Sequence, residues 1–463
     1  MSDRVLLREV EIDGDRVDVL VAGGVIAAIG AALADPATVE VVDAAGGALL
    51  PGLHDHHVHL LAMAARRAAI DLDACGSPAA FDAVIVDACA PAEGSWVRAG
   101  GYDEHRHGPL DRARLDALVG DTAVRVQHRT GLSWMLSSAA LERVEAGRSD
   151  EPCIERDGDG RPTGWVHRGD GWLAERIGVS APELAPVGRE LAALGITGVT
   201  DATAELGAGR LELLQQARVT GAIPQHLLLL GAPDEVDLED WAAHGPAKLL
   251  ADEMLGLDPG ALADRIRAQH RIGRPVAIHA VSRVETIAAV TALREAGMLR
   301  GDRLEHGSVL PVELDEALAA GGVTVIIQPA LVSERGDHHL VAVEADDLGV
   351  LHRAATLRDA GVALAAGSDA PVTSADPWRA IAAATGRRTR GGVVLGAAER
   401  VDARVALDWF LTPLDDPGGA PRRLIVGAPA DLCLLSVPLA EMLSAPSAAH
   451  VRSTWIDGVM VHP

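Results

Sequence analysis

The chain has 463 residues, 48% hydrophobic but only 2% aromatic, with 66 acidic against 41 basic side chains and a net charge of −25. That length exceeds one ordinary domain and leaves room for a sizeable aliphatic core. The acid excess argues against nucleic acid or an anionic membrane as a partner, and no segment supplies the roughly 18 uninterrupted apolar residues of a membrane span.

The start, Met1-Ser-Asp-Arg-Val-Leu-Leu-Arg, lacks the apolar segment of a secretory leader. Residues 5–50 read as short strands: Val5-Leu-Leu, Val17-Asp-Val-Leu-Val, Val25-Ile-Ala-Ala-Ile and Val39-Glu-Val-Val, broken by Asp13-Gly14-Asp15 and Gly23-Gly24. The C-terminal stretches Ala430–Leu435 and Ser453–Val461 match them in style. The two flanks, 1–50 and 426–463, are expected to join into one small β-sandwich.

Next comes Pro51-Gly-Leu-His-Asp-His-His-Val-His59, read as a strand over Leu49–His59. Residues i and i+2 share a face, so His57 and His59 point one way and His54 and His56 the other. Such an H-x-H at a strand end can place two imidazoles on one metal; alone, a polar loop explains it equally well. Residues 61–185 follow no β-then-α rhythm and read as an α/β insertion. Tyr102, Asp103, His128 and Trp134 lie in it; they are candidates for shaping a substrate pocket, with ordinary packing an equal alternative. His105-Arg-His107 is read as a solvated loop.

From 186 to 425 short apolar runs alternate with stretches of helical length. Strands are expected at Thr197–Asp201, Gln225–Leu230, Ala247–Leu250, Val276–His279, Arg303–His306, Val323–Gln328 and Val362–Asp369. Gly195, Gly273, Gly301, Gly322 and Gly361 precede strands, where a helix would turn back. One helix reads clearly from Val284, Ile287, Val290 and Leu293. With the strand at Leu49–His59 there are eight β-then-α units, which imply a (β/α)8 barrel of residues 51–60 and 186–425. A doubly wound sheet is the alternative, without a glycine-rich phosphate loop to favour it.

Four further candidates stand near the C-terminal ends of different strands: Lys248, His279, His306 and Asp369. A barrel gathers those ends at one mouth, and imidazole and carboxylate suit Zn²⁺ or a similar divalent ion. Lys248 is the only lysine in the chain. A GC-rich codon bias explains the loss of the others better than salt adaptation does. A lysine that survives suggests a role arginine cannot play, since only lysine readily loses its proton; chance survival is the competing account. The scattered Cys75, Cys89, Cys153 and Cys433 read as reduced thiols of a cytoplasmic protein. Asp55 is placed to orient His57, His338 and His339 read as a surface loop, and Ser368 lacks the context of a hydrolase nucleophile.

The chain resembles the amidohydrolase superfamily, and within it the YtcJ-like branch, nearly end to end. The resemblance rests on Pro51–His59, Ile196-Thr-Gly-Val-Thr-Asp-Ala, Lys248, Ala277-Ile-His-Ala, Arg303-Leu-Glu-His, Gly367-Ser-Asp-Ala-Pro-Val and Gly427-Ala-Pro-Ala-Asp-Leu, and in the insertion on Ser133–Leu141 and Pro162-Thr-Gly-Trp-Val. It implies that His57, His59 and Asp369 hold one metal, that His279 and His306 hold a second, and that Lys248, carboxylated by CO₂, bridges the two ions. It implies hydrolysis of a non-peptide C–N bond of a small molecule, an N-acyl or N-formyl amide, by a metal-bound hydroxide, with Asp369 as general acid–base. Two rivals follow from the same resemblance: a mononuclear deaminase of a heterocycle, and an inactive scaffold. Dimers are common among similar proteins. Departures from the branch border the expected pocket: Ala251-Asp-Glu-Met254 with a short connection, His279-Ala-Val-Ser-Arg283, and His167 where an acidic residue is expected.

Overall fold

The computed structural model describes residues 4–34, 39–90, 96–177, 182–253 and 256–463; Met1–Asp3 and Met254, used in the sequence reading, lie outside them. The chain divides into two compact units, Met1–Leu60 with Leu184–Pro463, and Leu61–Glu183.

In the larger unit the chain termini form two four-stranded sheets. One contains Arg4–Ile12, Asp15–Ala22, Val25–Gly30 and Glu40–Asp43; the other contains Leu49–Pro51, Leu432–Leu435, Val451–Ile456 and Val459–His462. Leu7, Val19 and Ile26 of the first share one apolar cluster with Leu432, Leu434 and Trp455 of the second.

Among the described residues, eight parallel strands and the two-residue strand Ala243–His244 make up the rest of its sheet structure, the eight being β1 (Leu53–Val58), β2 (Ile196–Asp201), β3 (His226–Leu229), β4 (Ala247–Leu250), β5 (Val276–Ala280), β6 (Arg303–His306), β7 (Thr324–Ile327) and β8 (Ala363–Ala366). β1, β2 and β3 form one parallel sheet, edged by Ala243–His244, and β4 to β8 form another. These strands are buried nearly throughout, the apolar runs of β3, β5, β7 and β8 and the polar-rich β1 and β6 alike. Hydrogen bonds cross both seams between the sheets. Lys248 N–H donates to Leu230 O at 3.2 Å; at the other seam Asp369 N–H donates to His57 O at 2.7 Å and His59 N–H to Ala370 O at 3.0 Å.

Three details depart from the sequence reading. The strand expected over Leu49–His59 is two strands in different sheets, divided at Gly52. A Cβ there would lie 2.1 Å from Thr197 Cγ2, so only glycine lets the chain cross so close to β2. No α-helix joins β3 to β4; the link holds only a 3₁₀ turn at Glu239–Trp241 and the two residues of Ala243–His244. Its sequence, Gly231-Ala-Pro-Asp and then His244-Gly-Pro, is dense in turn formers. The helix Arg283–Ala296 buries Val290 and Leu293 but leaves Val284 53% and Ile287 42% exposed. A three-residue spacing slips about 60° per step on a 3.6-residue helix, so the stripe winds off the buried face. The five glycines expected before strands all have positive φ, from 65° at Gly322 to 96° at Gly301.

The smaller unit is a six-stranded mixed sheet in the order Ile154–Arg156, Pro162–His167, Ser133–Leu136, Ala123–His128, Trp96–Tyr102, Ile70–Asp71. Helices cover both faces. Phe81, Ile85 and Leu115 pack against Val97, Val124 and Val126 on one side, and Leu141, Trp172 and Leu173 pack around Trp134 and Val166 on the other. Among the described residues, no helix is long and apolar enough to cross a membrane. All four cysteines are free.

Candidate metal centre

β1 sends its histidines to two environments. His54 Nδ1 lies 2.9 Å from Thr412 O and His56 Nε2 lies 2.8 Å from Thr412 Oγ1; both rings are buried anchors of the strand. His57 and His59 face the other way, with ring centroids 5.4 Å apart. Their Nε2 atoms lie 3.6 and 3.3 Å from the same Asp369 Oδ1. The ligand atoms of these three residues all fall within 4.8 Å of one another.

Asp369 lies three residues past β8 rather than at its end. Its backbone is left-handed, φ +55°, and its N–H bonds to His57 O. Gly367 makes the approach possible: a Cβ there would lie 2.5 Å from His57 N and 2.6 Å from His57 Cβ. Asp55 accepts from His57 N–H and Ser368 N–H, each at 3.0 Å, and from the Ser368 hydroxyl. Asp55 thus fixes the backbone that carries His57 and Asp369, not the imidazole it was expected to orient. Burial raises its pKa to about 6.

The residue that orients the His57 ring is Glu305, which sequence reasoning missed. Its carboxylate bonds to His57 Nδ1 and accepts from Arg303 Nε at 2.7 Å. Burial raises the Glu305 pKa, but Arg303, Lys248 and His57 outweigh it and hold the group well below the usual carboxylate range. An ionised carboxylate only accepts, so Nδ1 of His57 carries the proton and Nε2 keeps a lone pair. That lone pair faces a carboxylate oxygen, acceptor against acceptor, and a cation between them would satisfy both.

β6 and β5 supply two more imidazoles. His306 lies 4.7 Å from His57 and 4.6 Å from His279, measured between ring centroids. His306 Nδ1 is 2.8 Å from Gln328 Oε1, and Gln328 Nε2 donates to Ile326 O at 3.0 Å, which fixes the amide orientation. His306 therefore also keeps its Nε2 lone pair. Burial lowers the pKa of His57 to about 3 and pushes His279 and His306 down as well, so all three are neutral, as metal ligation requires.

Lys248, at the second position of β4, interacts electrostatically with His57, His279, His306, Glu305 and Asp369. It is buried, and its Nζ has no hydrogen-bond partner among the described residues. Burial is the largest cause of a pKa lowered to about 8. Asp369 is lowered too: burial raises it, but the His59 hydrogen bond and the histidines around it dominate. The structure thus brings together all six residues singled out as ligands from five separate stretches of chain. Their unshared lone pairs and the orphaned amine fit a bound metal.

Tyr102 is 2% exposed, in the apolar core of the smaller unit, with its hydroxyl donating to Gly108 O at 2.8 Å. His128 bonds Glu104 at 2.9 Å and Thr130 at 2.8 Å. Trp134 is buried, with its N–H on Asp170. His105 and His107, expected in a solvated loop, lie in the short helix Glu104–His107; His107 is fully buried, with Nε2 3.1 Å from Cys75 O. His338 and His339 lie on the helix Ala330–Ala342 rather than in a loop, and His339 Nδ1 is 3.1 Å from His352 Nε2.

An α/β chain with histidine pairs and an aspartate gathered at parallel-strand ends is the build of a metal-dependent hydrolase. Residues 40–462 match the sequence profile of the Amidohydrolase family, and the chain belongs to that family. It is 25% identical over 442 residues to YtcJ of Bacillus subtilis (strain 168), covering 81% of this chain and 82% of that one. It is 26% identical over 518 residues to the N-substituted formamide deformylase of Arthrobacter pascens, covering 96% and 94%. The crystal structure of an uncharacterized metal-dependent hydrolase from Pyrococcus horikoshii OT3 superposes with a TM-score of 0.75 at 17% identity, over 97% of this chain and 99% of that one, a likeness of fold.

Proposed function

We propose that this amidohydrolase cleaves a non-peptide C–N bond of a small molecule, an N-acyl or N-formyl amide, at a binuclear metal centre. The two parallel sheets, joined at both seams, are read as one (β/α)8 barrel with that centre at its mouth. His57, His59 and Asp369 would hold one ion, and His279 and His306 the other. Lys248, carboxylated by CO₂, would bridge them. The ion type favoured by these nitrogen and oxygen donors is Zn²⁺.

The observation that carries this reading is the orphaned Lys248 amine among five metal-competent side chains. Carbamate formation needs the neutral amine. At the ordinary lysine pKa of ~10.4, deprotonation at pH 7 costs about 4.6 kcal/mol; at the lowered value of about 8 the cost falls to the order of 1 kcal/mol. The carbamate would convert a lone buried cation into an anionic oxygen ligand.

When bound, the metal pair supplies Lewis acidity that activates water and polarises the amide carbonyl. Asp369, ionised at neutral pH, accepts the proton of the attacking water and returns it to the leaving nitrogen. Glu305 and Gln328 hold His57 and His306 in the tautomers that ligation needs. The similarity to a deformylase of N-substituted formamides favours a formyl or short acyl group.

Of the candidate ligands, His57, His59 and Asp369 form the group whose ligand atoms all lie within 4.8 Å of one another, which favours a mononuclear alternative in which Lys248 stays an amine. Assay of the zinc-loaded protein against N-alkyl formamides and N-acyl amines tests the main reading. Hydrolysis that is lost in Lys248→Arg, with about two ions per chain in the wild type, supports it. One ion per chain with full activity in Lys248→Arg contradicts it.

A further inference from the structure

Among the described residues of the smaller unit, two arginines stand without a counter-ion and with their Nε atoms buried and unpartnered. Arg98 and Arg125 are register partners on the neighbouring parallel strands Trp96–Tyr102 and Ala123–His128. Like charges placed side by side on a sheet destabilise it. Both guanidinium carbons lie 5.1 Å from the centre of the Trp134 ring, within cation–π range. The Trp134 N–H in turn donates to Asp170 Oδ1 at 2.9 Å.

Among the described residues neither arginine forms an ion pair. Arg98 makes one long hydrogen bond, Nη2 to Gln127 Oε1 at 3.5 Å. Arg125 makes none, and the Nε atoms of both are buried without a partner. Carboxylates are not scarce in this chain, and nearby arginines have them: Arg66 pairs with Asp71 and Asp73, and Arg114 with Asp82. Burial, then the adjacent Arg125, lowers the Arg98 pKa to about 10. Among the described residues, the carboxylate whose longer-range field the two half-buried cations share is Asp170.

We propose that Arg98 and Arg125, braced on Trp134, form a binding site for the carboxylate group of a small molecule. Arg66 also acts on Arg98 but is itself paired with Asp71 and Asp73, so the two guanidiniums and Asp170 leave a single positive charge, which a monoanionic carboxylate neutralises and a phosphate dianion would overshoot. The planar guanidinium forks match the two oxygens of a carboxylate. This site uses none of the metal ligands and does not depend on the metal reading.

The test is calorimetric titration of the full-length protein with benzoate, with neutral benzamide and with inorganic phosphate, at constant ionic strength. Arg98→Met and Arg125→Met are each expected to weaken benzoate binding by about tenfold or more, the scale of a lost charge-assisted contact. Benzamide should bind neither form, and phosphate should bind more weakly than benzoate. Benzoate taken up by the metal centre is common to wild type and variants and cancels in the comparison. The variants should melt at or above the wild-type temperature, because a like-charge pair has been removed. Equal benzoate binding in wild type and variants, tighter binding of phosphate, or a lowered melting temperature with benzoate binding retained would each overturn the proposal. The last outcome would make the arginines packing for Trp134. Arg125→Lys keeps the charge without the fork, and is expected to fold and to bind benzoate less well than wild type.

Discussion

Glu305 holds His57 by its Nδ1 and is itself held by Arg303, so a buried chain of charge sets which nitrogen His57 offers to the mouth of the site. Glu305→Gln is expected to lower metal affinity by about 10–100-fold, the usual effect of losing the partner behind a metal-ligating histidine. Dialysis against graded chelator, with metal counted by atomic spectroscopy, measures it. Unchanged retention would mean that Glu305 only packs.

Gly367→Ala would place a methyl carbon 2.5 Å from His57 N. Overpacking of this kind costs about 1–3 kcal/mol. Here the displaced atoms carry His57 and Asp369, so activity should fall further than stability. Parallel thermal melts and rate assays separate the two. A variant that keeps its activity would show that the seam yields without moving the ligands.

Removing the metal should destabilise the fold, because ligands bind the native state only. At a free ion concentration 1,000 times the dissociation constant the expected loss is about 4 kcal/mol. Melting curves with and without chelator check this, and coincident curves would argue against a resident ion.

His226 on β3 bonds Asp431, 3.1 Å away, and so ties the parallel sheet to the strand region that leads into the C-terminal sheet. The hydrogen bond with Asp431 is the main reason the His226 pKa is raised above 6.5. For Asp431, burial acts upward but His226 prevails and lowers it below 3.8. A raised histidine contributes stability below its unfolded pKa and loses it as pH rises through the folded value; a lowered aspartate contributes above its unfolded pKa and loses it as pH falls through the folded value. The pair therefore stabilises most between about pH 4 and 6.5. His226→Gln should lower the melting temperature more at pH 5.5 than at pH 9, by a modest amount because the ring is partly exposed. An equal deficit at both pH values would show that the charge is irrelevant.

The candidate ligands were legible in the sequence because His279, His306 and Asp369 stand near the C-terminal ends of expected strands, because Lys248 is the only lysine in the chain, and because strand alternation alone separates His57 and His59 from His54 and His56. Glu305, Gln328 and Thr203, which contacts His59 Nδ1 at 3.4 Å, were not. Their roles come from closeness between strands distant in sequence. One signal was present for Glu305: Arg303 and Glu305 put two charges on one face of a strand buried throughout, a costly placement unless each serves the other. The break at Gly52 was hidden for a similar reason, since it depends on Thr197 from another strand. The helical His105–His107 turn was missed because the buried partner of His107, the Cys75 carbonyl, lies 32 positions away.

The most direct test of the central claim is anomalous diffraction from crystals grown with zinc and bicarbonate. Two peaks about 3.5–4 Å apart, enclosed by His57, His59, His279, His306 and Asp369, with density continuing past Lys248 Nζ to both, is the predicted result. A single peak beside an unmodified Lys248, or none among these side chains, would contradict it.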